Sequence, residues 1–324
     1  MTQSVFRSPR VSVVMPAYNT EPYIAAAVRS ALEAGVPEVE VLVVDDGSTD
    51  GTLAAVRGIG DPRVIVIEAP RSGGPSRPRN IGLARARAPY VSMLDSDDVL
   101  KPGKLAASVA ALQRCPTAGF AFGDYESMDE DGNVFETSCA YAYPVFRALK
   151  SEPAGEGWRL IPQRELARGL LYENFIGTSG VVLRKDLAVR LGGFYEELPN
   201  ADDIDLWYRL AHCCDALYSP TVGHSYRVRA ASVVRGPRIR NALSSIKVRK
   251  REKARWRDRA ARRQLDRRIA EFLGVIGYEQ RLQKERWSAV KSYLHAFAIS
   301  PESRWLAALV AAALLTPSAV STHE

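Results

Sequence analysis

Cysteine is scarce in this chain of 324 residues. Four are present, Cys115, Cys139, Cys213 and Cys214, and none stands in a C-x-x-C or other metal-ligand spacing. That argues against a disulfide framework or a cysteine-based zinc site, and fits a reducing, cytoplasmic compartment. Long hydrophobic runs are lacking as well. Residues 1–10 have no apolar core of the secretory type, and the most apolar late stretch, 305–316, is too short to cross a bilayer. No repeat of solenoid length is present. The composition is that of an ordinary globular protein, long enough to bury a full core as one large domain or one domain with a substantial appendage. Its formal charge of +7 is unevenly placed, because residues 238–268 hold 14 Lys or Arg against 3 acids. The remainder is net acidic, and the basicity belongs to one segment.

Short runs of β-branched and apolar residues at 11–15, 41–44, 64–67 and 90–94 suit buried strands. Helix-like segments at 23–34, 52–57 and 81–86 fall between them. This alternation predicts a parallel sheet with crossover helices, whose strand C-termini face a ligand crevice. A further helix is expected at 101–114, a strand at 118–124, and a hairpin turn at Asp131-Gly132-Asn133. Residues 141–158 read as a loop over the sheet. A strand at 178–183, a short helix at 185–191 ended by Gly192-Gly193, and a helix at 203–211 follow. After about residue 235 strand signals stop and helical patterns fill 239–298. A boundary is therefore expected near 234–237, dividing a domain of 1–235 from a helical, basic region of 236–324.

Three acidic clusters stand in order: Asp45-Asp46, Asp95-Ser96-Asp97-Asp98, and Asp202-Asp203 followed by Ile204-Asp205-Leu206-Trp207. The first two close apolar runs, where carboxylates can hold a nucleotide, a divalent cation and an acceptor hydroxyl in one crevice. Taken with Pro16-Ala17-Tyr18-Asn19, Asp45 to Thr52, Arg79-Asn80-Ile81-Gly82 and Gly192-Gly193-Phe194, these motifs resemble in order and spacing the family 2 glycosyltransferases of GT-A fold. The resemblance covers roughly residues 10–235. It implies an α/β GT-A fold with a Rossmann-like mixed sheet, and an inverting transfer of a sugar from a nucleotide-diphosphate donor to an acceptor hydroxyl in polysaccharide, glycolipid or other cell-envelope glycan synthesis.

Residue roles follow from that resemblance. Asp203 is implied as the general base, taking the proton of the acceptor hydroxyl. Asp97 of the D-x-D motif is implied as the ligand of a divalent metal, Mn²⁺ or Mg²⁺, with Asp95 reaching the ribose or the metal through water. Pro16, Ala17, Tyr18, Asp45, Arg79, Ser96 and Arg229 are implied on the nucleotide-sugar side, and Asp202 and Trp207 on the acceptor side. An aspartate accepts from a base N–H, which favours a UDP-sugar. The chain departs from the family at Pro78, where alanine is usual, at Asp202, where glutamate is usual, and at Arg229, which stands where relatives carry histidine. Arg229 can pair with phosphate but not bind a metal, and His224 is an alternative ligand.

Each motif also has a plainer reading. Asp95 to Asp98 could cap the helix that follows, Asp46-Gly47-Ser48 could be only a turn, Asp202-Asp203 could only complement a helix dipole, and Arg79 could be a solvated helix-start residue. The basic segment reads as a solvated helix face or as a peripheral contact with anionic lipid at the inner face of a membrane, serving a glycan or lipid-linked acceptor. Nucleic-acid binding is not expected, since no binding motif accompanies the charge. Two other functions remain open: a nucleotide-sugar-binding or membrane-adaptor protein without turnover, and a sugar-nucleotide nucleotidyltransferase, whose Gly-rich basic loop is missing after residues 11–15.

Overall fold

The structure, a computed structural model, describes residues 8–229 and 237–314. The chain divides into two compact units, Met1–Ser232 and Val233–Glu324. Residues 234–236 of the expected boundary, 1–7 of the N-terminal stretch and 315–316 of the late apolar stretch lie outside the described residues.

The first half of unit one is the expected alternation. Strands β1 (Val11–Ala17), β2 (Val39–Asp45), β3 (Val64–Glu68) and β4 (Tyr90–Met93) are joined by helices α1 (Glu21–Leu32), α2 (Thr52–Arg57) and α3 (Ser76–Arg85). They pair in parallel in the order β3-β2-β1-β4. Every residue of β1 and β2 is buried, as unbroken apolar runs require when both sheet faces are covered. Helix α3 begins five residues before its apolar pattern, because Pro78 falls in the first turn, where a missing N–H costs no helical bond. In register, Ala17 lies beside Asp45, so the C-terminal ends of β1 and β2 open at one edge of the sheet.

The second half is mixed rather than parallel. After β5 (Val99–Leu100) and α4 (Lys104–Arg114) come β6 (Ala118–Met128), β7 (Val134–Glu136), α5 (Cys139–Ala142), α6 (Pro144–Arg147), β8 (Glu152–Pro153) and β9 (Arg159–Ile161). Then follow α7 (Gln163–Leu170), β10 (Val182–Arg184), α8 (Lys185–Arg190), α9 (Asp202–Ala211) and β11 (Asp215–Arg227). The sheet continues from β4 as β10-β6-β11-β9-β8, with β10 antiparallel to both its neighbours. Strand β11, 13 residues long, has no counterpart in the sequence reading. Pro220 interrupts its pattern, and the ladder absorbs the lost donor by a register shift between Ser219 and Val222. The stretch 141–158 is more ordered than a loop. Phe146 is buried there against Phe122, Phe175 and Tyr218, with ring centroids 6.1, 4.8 and 4.6 Å away.

Unit two consists of α10 (Arg238–Arg255), α11 (Arg259–Leu282), α12 (Arg286–Ile299) and α13 (Ser303–Ala313), each packed on the next. Ile246, Ile269, Leu273, Tyr293 and Trp305 form its core. Gly274 allows the Trp305 ring to approach α11 so closely that an added Cβ would lie 2.3 Å from it. Among the described residues, no helix is long and apolar enough to cross a membrane.

Candidate active site

The crevice at the ends of β1 and β2 carries a buried acceptor with an unmet bond. Asp45 ends β2, only 2% exposed. Its Oδ2 accepts from the N–H groups of Gly47 and Ser48 at 3.2 and 3.0 Å, while Oδ1 is buried without a protein partner. An orphan carboxylate oxygen in a cleft suits an incoming N–H donor. Pro16 and Ala17 are buried beside it on β1, and Tyr18 is 40% exposed at the rim. The Arg71 guanidinium lies 3.5 Å above the Tyr18 ring and pairs with Asp46. Asp46 also accepts from the Ser72 N–H at 2.9 Å and the Ser72 hydroxyl at 2.7 Å. Asp46 therefore ties the β3–α3 loop down over the crevice, whereas Asp45 keeps one buried oxygen without a protein partner.

The second cluster follows β4. Asp98 is a structural member: Ser179 donates to its Oδ2 at 2.5 Å and the Arg227 N–H to its Oδ1 at 2.8 Å. Burial, reinforced by Asp97 and Asp95, holds the Asp98 carboxyl well above the usual carboxylate range. Ser96 is buried in the same turn. Asp97 forms an ion pair with Arg229 at 2.6 Å. Burial raises its pKa, with Arg229 opposing and Asp95 reinforcing.

Arg79 joins the second cluster to the third. Its guanidinium donates to Asp95 at 2.6 Å and to Asp202 at 2.7 Å, and it packs 5.4 Å from the Phe194 ring. The side chain is 5% exposed, which rules out the solvated reading. Burial would lower its pKa, but Asp95 and Asp202 outweigh that and raise it. The neighbouring Asn80 accepts from the Phe194 N–H at 2.8 Å and donates to the Phe194 carbonyl at 2.8 Å. Gly193 (φ 64°) has no room for a side chain, since a Cβ would lie 2.5 Å from Asn80 Oδ1. One Arg-Asn dipeptide on α3 thus grips both the turn after β4 and the segment leading to α9.

Ahead of α9 the backbone at Ala201 is left-handed (φ 62°), an uncommon state for a residue with a Cβ, and it delivers Asp202 and Asp203 into the first turn. Asp202 is buried and turned toward Arg79, so it acts as an anchor rather than an acceptor contact. Trp207 is fully buried with its ring stacked 5.9 Å from Phe120. This corrects the expectation that it faces an acceptor: at five residues beyond Asp202 it lies on the helix face that packs on the sheet. Asp203 is only partly buried, and its Oδ2 accepts from Asn174 Nδ2 at 2.9 Å and from the Thr178 hydroxyl at 3.4 Å. Burial and the adjacent Asp202 raise its pKa, while the Ile204 N–H, Arg79 and Asn174 oppose the shift.

Asn174, Thr178 and Ser179 were not singled out from sequence. All three lie in one segment before β10 that holds Asp203 at one end and Asp98 at the other, with the Ser179 hydroxyl also accepting from the Asp95 N–H at 3.1 Å. The only local signal was a small polar stretch between apolar residues, which any loop can show. His224 is buried with its ring stacked 5.2 Å from Tyr125, close against Gly177 and Gly180. Burial, with Lys104 and Lys101 nearby, pushes its pKa down to about 3, so it is a neutral core residue.

Among the described residues no three His, Cys, Asp or Glu side chains converge as a ready cation cage. Asp95 and Asp97 nonetheless supply two partly exposed, hard-oxygen carboxylates at 32% and 16% side-chain exposure. That donor set fits a Mg²⁺- or Mn²⁺-type ion that takes its other ligands from phosphate and water.

Comparison with known proteins gives the family and the fold. The family model described as glycosyl transferase family 2 matches residues 12–186. A succinoglycan biosynthesis protein, ExoO, of Rhizobium meliloti is 30% identical over 241 residues, covering 73% of the chain and 66% of that protein. A chondroitin synthase of Pasteurella multocida is 26% identical over 213 residues, covering 64% of the chain and 19% of the synthase. The chain thus spans less than two thirds of either relative. Among solved structures, S. aureus TarS 1-349 in complex with UDP-GlcNAc superposes with a TM-score of 0.66 at 19% identity, over 94% of this chain and 89% of that one. The mannosyltransferase PcManGT of Pyrobaculum calidifontis, in complex with GDP-Man and Mn²⁺, gives 0.59 at 22% identity, over 95% and 80%. These likenesses show the GT-A fold.

Proposed function

The chain belongs to glycosyl transferase family 2, and on that premise we propose that it is an inverting enzyme moving a sugar from a nucleotide-diphosphate donor to an acceptor hydroxyl. The observation that carries the reading is the Arg79 bridge, which ties the D-x-D turn to the helix bearing Asp203 across one crevice. Domain roles follow: residues 1–235 as the catalytic domain and 236–324 as a helical, basic appendage. The names of the matched relatives support a place in envelope polysaccharide synthesis, with a glycan or lipid-linked acceptor.

In this mechanism Asp45 Oδ1 accepts from the base N–H, which favours a uracil edge, while Pro16, Ala17 and Tyr18 wall the base. Asp97, with Asp95 and Ser96 in the same turn, would hold the divalent cation, whose chemistry when bound is to stabilise charge on the leaving diphosphate. Arg229, seated at Asp97, offers a guanidinium to the same phosphates. Asp203 removes the proton from the acceptor hydroxyl as that oxygen bonds to the anomeric carbon, and the bond from that carbon to the diphosphate breaks on the opposite side. The Asn174 amide orients the base by occupying one carboxylate oxygen, and Arg79 offsets the Asp202 charge beside it.

Donor hydrolysis tests the proposal without knowledge of the acceptor. UDP-GlcNAc, UDP-glucose and GDP-mannose are incubated with Mn²⁺ and the released nucleotide is measured. Asp203→Asn should lower the rate by about 10²–10⁴-fold while calorimetric binding of the nucleotide stays unchanged. Nucleotide-sugar binding with no turnover in the wild type would instead favour a binding protein.

A further inference from the structure

We infer that unit two carries a docking surface for an anionic lipid bilayer, formed by the apolar outer face of α13 and the exposed stripe of α12. On α13, Leu306 and Val310 are 49% and 59% exposed at helical spacing, and Leu314, just past its end, is 73% exposed. Between them Ala307 and Ala311 are exposed too, so the outer face beyond Arg304 is apolar throughout. On α12, Trp287 is 70% exposed and Leu294 is 51% exposed, with the exposed Lys291 between them on the same face. Such a concentration of large apolar side chains calls for a partner.

Charge identifies the partner. Neither α12 nor α13 contains an Asp or Glu, whereas they carry Arg286, Lys291 and Arg304. Residues 237–314 together hold 19 Lys or Arg against 7 acids. A second copy of the chain would bring two such cationic surfaces together, which opposes self-association. An anionic bilayer satisfies both features, because apolar side chains enter the acyl boundary while lysine and arginine reach back to the headgroups. At 11 residues α13 is too short to span, so it lies in the plane of the interface. A cleft of about 500 Å³ opens at the start of α13, where Arg238 pairs with Glu279 and Arg304 with Glu271 and Glu302, so among the described residues the free cation of the proposed face is Lys291 rather than these arginines.

The inference stands apart from sugar transfer, so either can fail alone. The full chain is sedimented with vesicles of phosphatidylcholine alone and with vesicles also containing phosphatidylglycerol. Binding is expected only to the anionic vesicles and should weaken as salt rises. The double variant Leu306→Ser/Val310→Ser should lower the affinity about tenfold, and Trp287→Ser should lower it through the second helix. All three positions are on the surface, so the fold is retained, as circular dichroism will show. No binding to anionic vesicles, equal binding to neutral ones, or undiminished binding by the double variant would overturn the inference. So would a wild-type dimer in light scattering that the double variant turns into a monomer, since the apolar face would then belong to a second copy.

Discussion

Replacing Arg79 with methionine removes the one cation shared by Asp95 and Asp202 while keeping most of the side-chain volume. The Arg79–Asp202 pair is 5% and 4% exposed at its side chains, so the stranded Asp202 charge has almost no access to water. Breaking a buried pair from one side costs about 3–5 kcal/mol. The Asp95 contact adds less, about 0.2–1 kcal/mol, because that carboxylate is 32% exposed and solvent screens it. Urea unfolding leaves charge interactions unscreened and reads the loss as a fall in midpoint at constant slope. The decisive measurement is a double-mutant cycle. Asp202→Asn alone leaves Arg79 with Asp95, and should cost about 1.5–3 kcal/mol, the worth of a hydrogen bond to a charged group. In Arg79→Met/Asp202→Asn no charge is stranded, so the loss should fall short of the sum of the single losses by about 1–3 kcal/mol. If the single effects add to within about 0.5 kcal/mol, the two residues are energetically independent and the bridge does not join the clusters.

Three further outcomes are expected. Asp203 has to be ionised to act as a base and its pKa is raised by burial and Asp202, so activity should fall with decreasing pH through a limb above the ordinary carboxylate value. Asn174→Ala removes a hydrogen bond that favours the ionised form and should move that limb upward by about one pH unit, whereas a merely structural loss would lower kcat at every pH and leave the limb in place. Gly82→Ala would set a Cβ 2.4 Å from Val14 Cγ1, between α3 and the fully buried β1. It should destabilise by about 1–3 kcal/mol in spite of alanine's better helix propensity, and Val14→Ala in the same chain should recover part of the loss in thermal unfolding.

How much was legible in the sequence differs sharply between the two halves of unit one. From β1 to β4, strands β1, β2 and β4 are buried on both faces and the edge strand β3 is half-buried, so their apolar runs located them to within about two residues. The second half depends on distant pairing. The strand expected at 178–183 meets β10 only at its end, because β10 is three residues long and its antiparallel place between β4 and β6 is set by distant partners, while β11 contains a proline and had no pattern to report it. Trp207 shows the same limit at the site, since its position beside the acidic pair pointed outward while the turn of α9 carried it against Phe120.

By itself the sequence determined which chemical groups the protein owns: carboxylates at strand ends, an Arg-Asn pair near a helix start, and a net-cationic tail of helices. These are legible because strand ends, helix starts and charge are properties of neighbouring residues. Only the tertiary structure decided what each carboxylate is for. Asp45 and Asp46 are adjacent, yet one keeps a buried oxygen without a partner and the other ties down a loop. Asp202 and Asp203 are adjacent, yet one is neutralised by Arg79 from 123 residues away and the other faces Asn174. The division is physical: the role of a buried charge is set by the partner it meets, and the partners here are brought together by the sheet rather than by the chain.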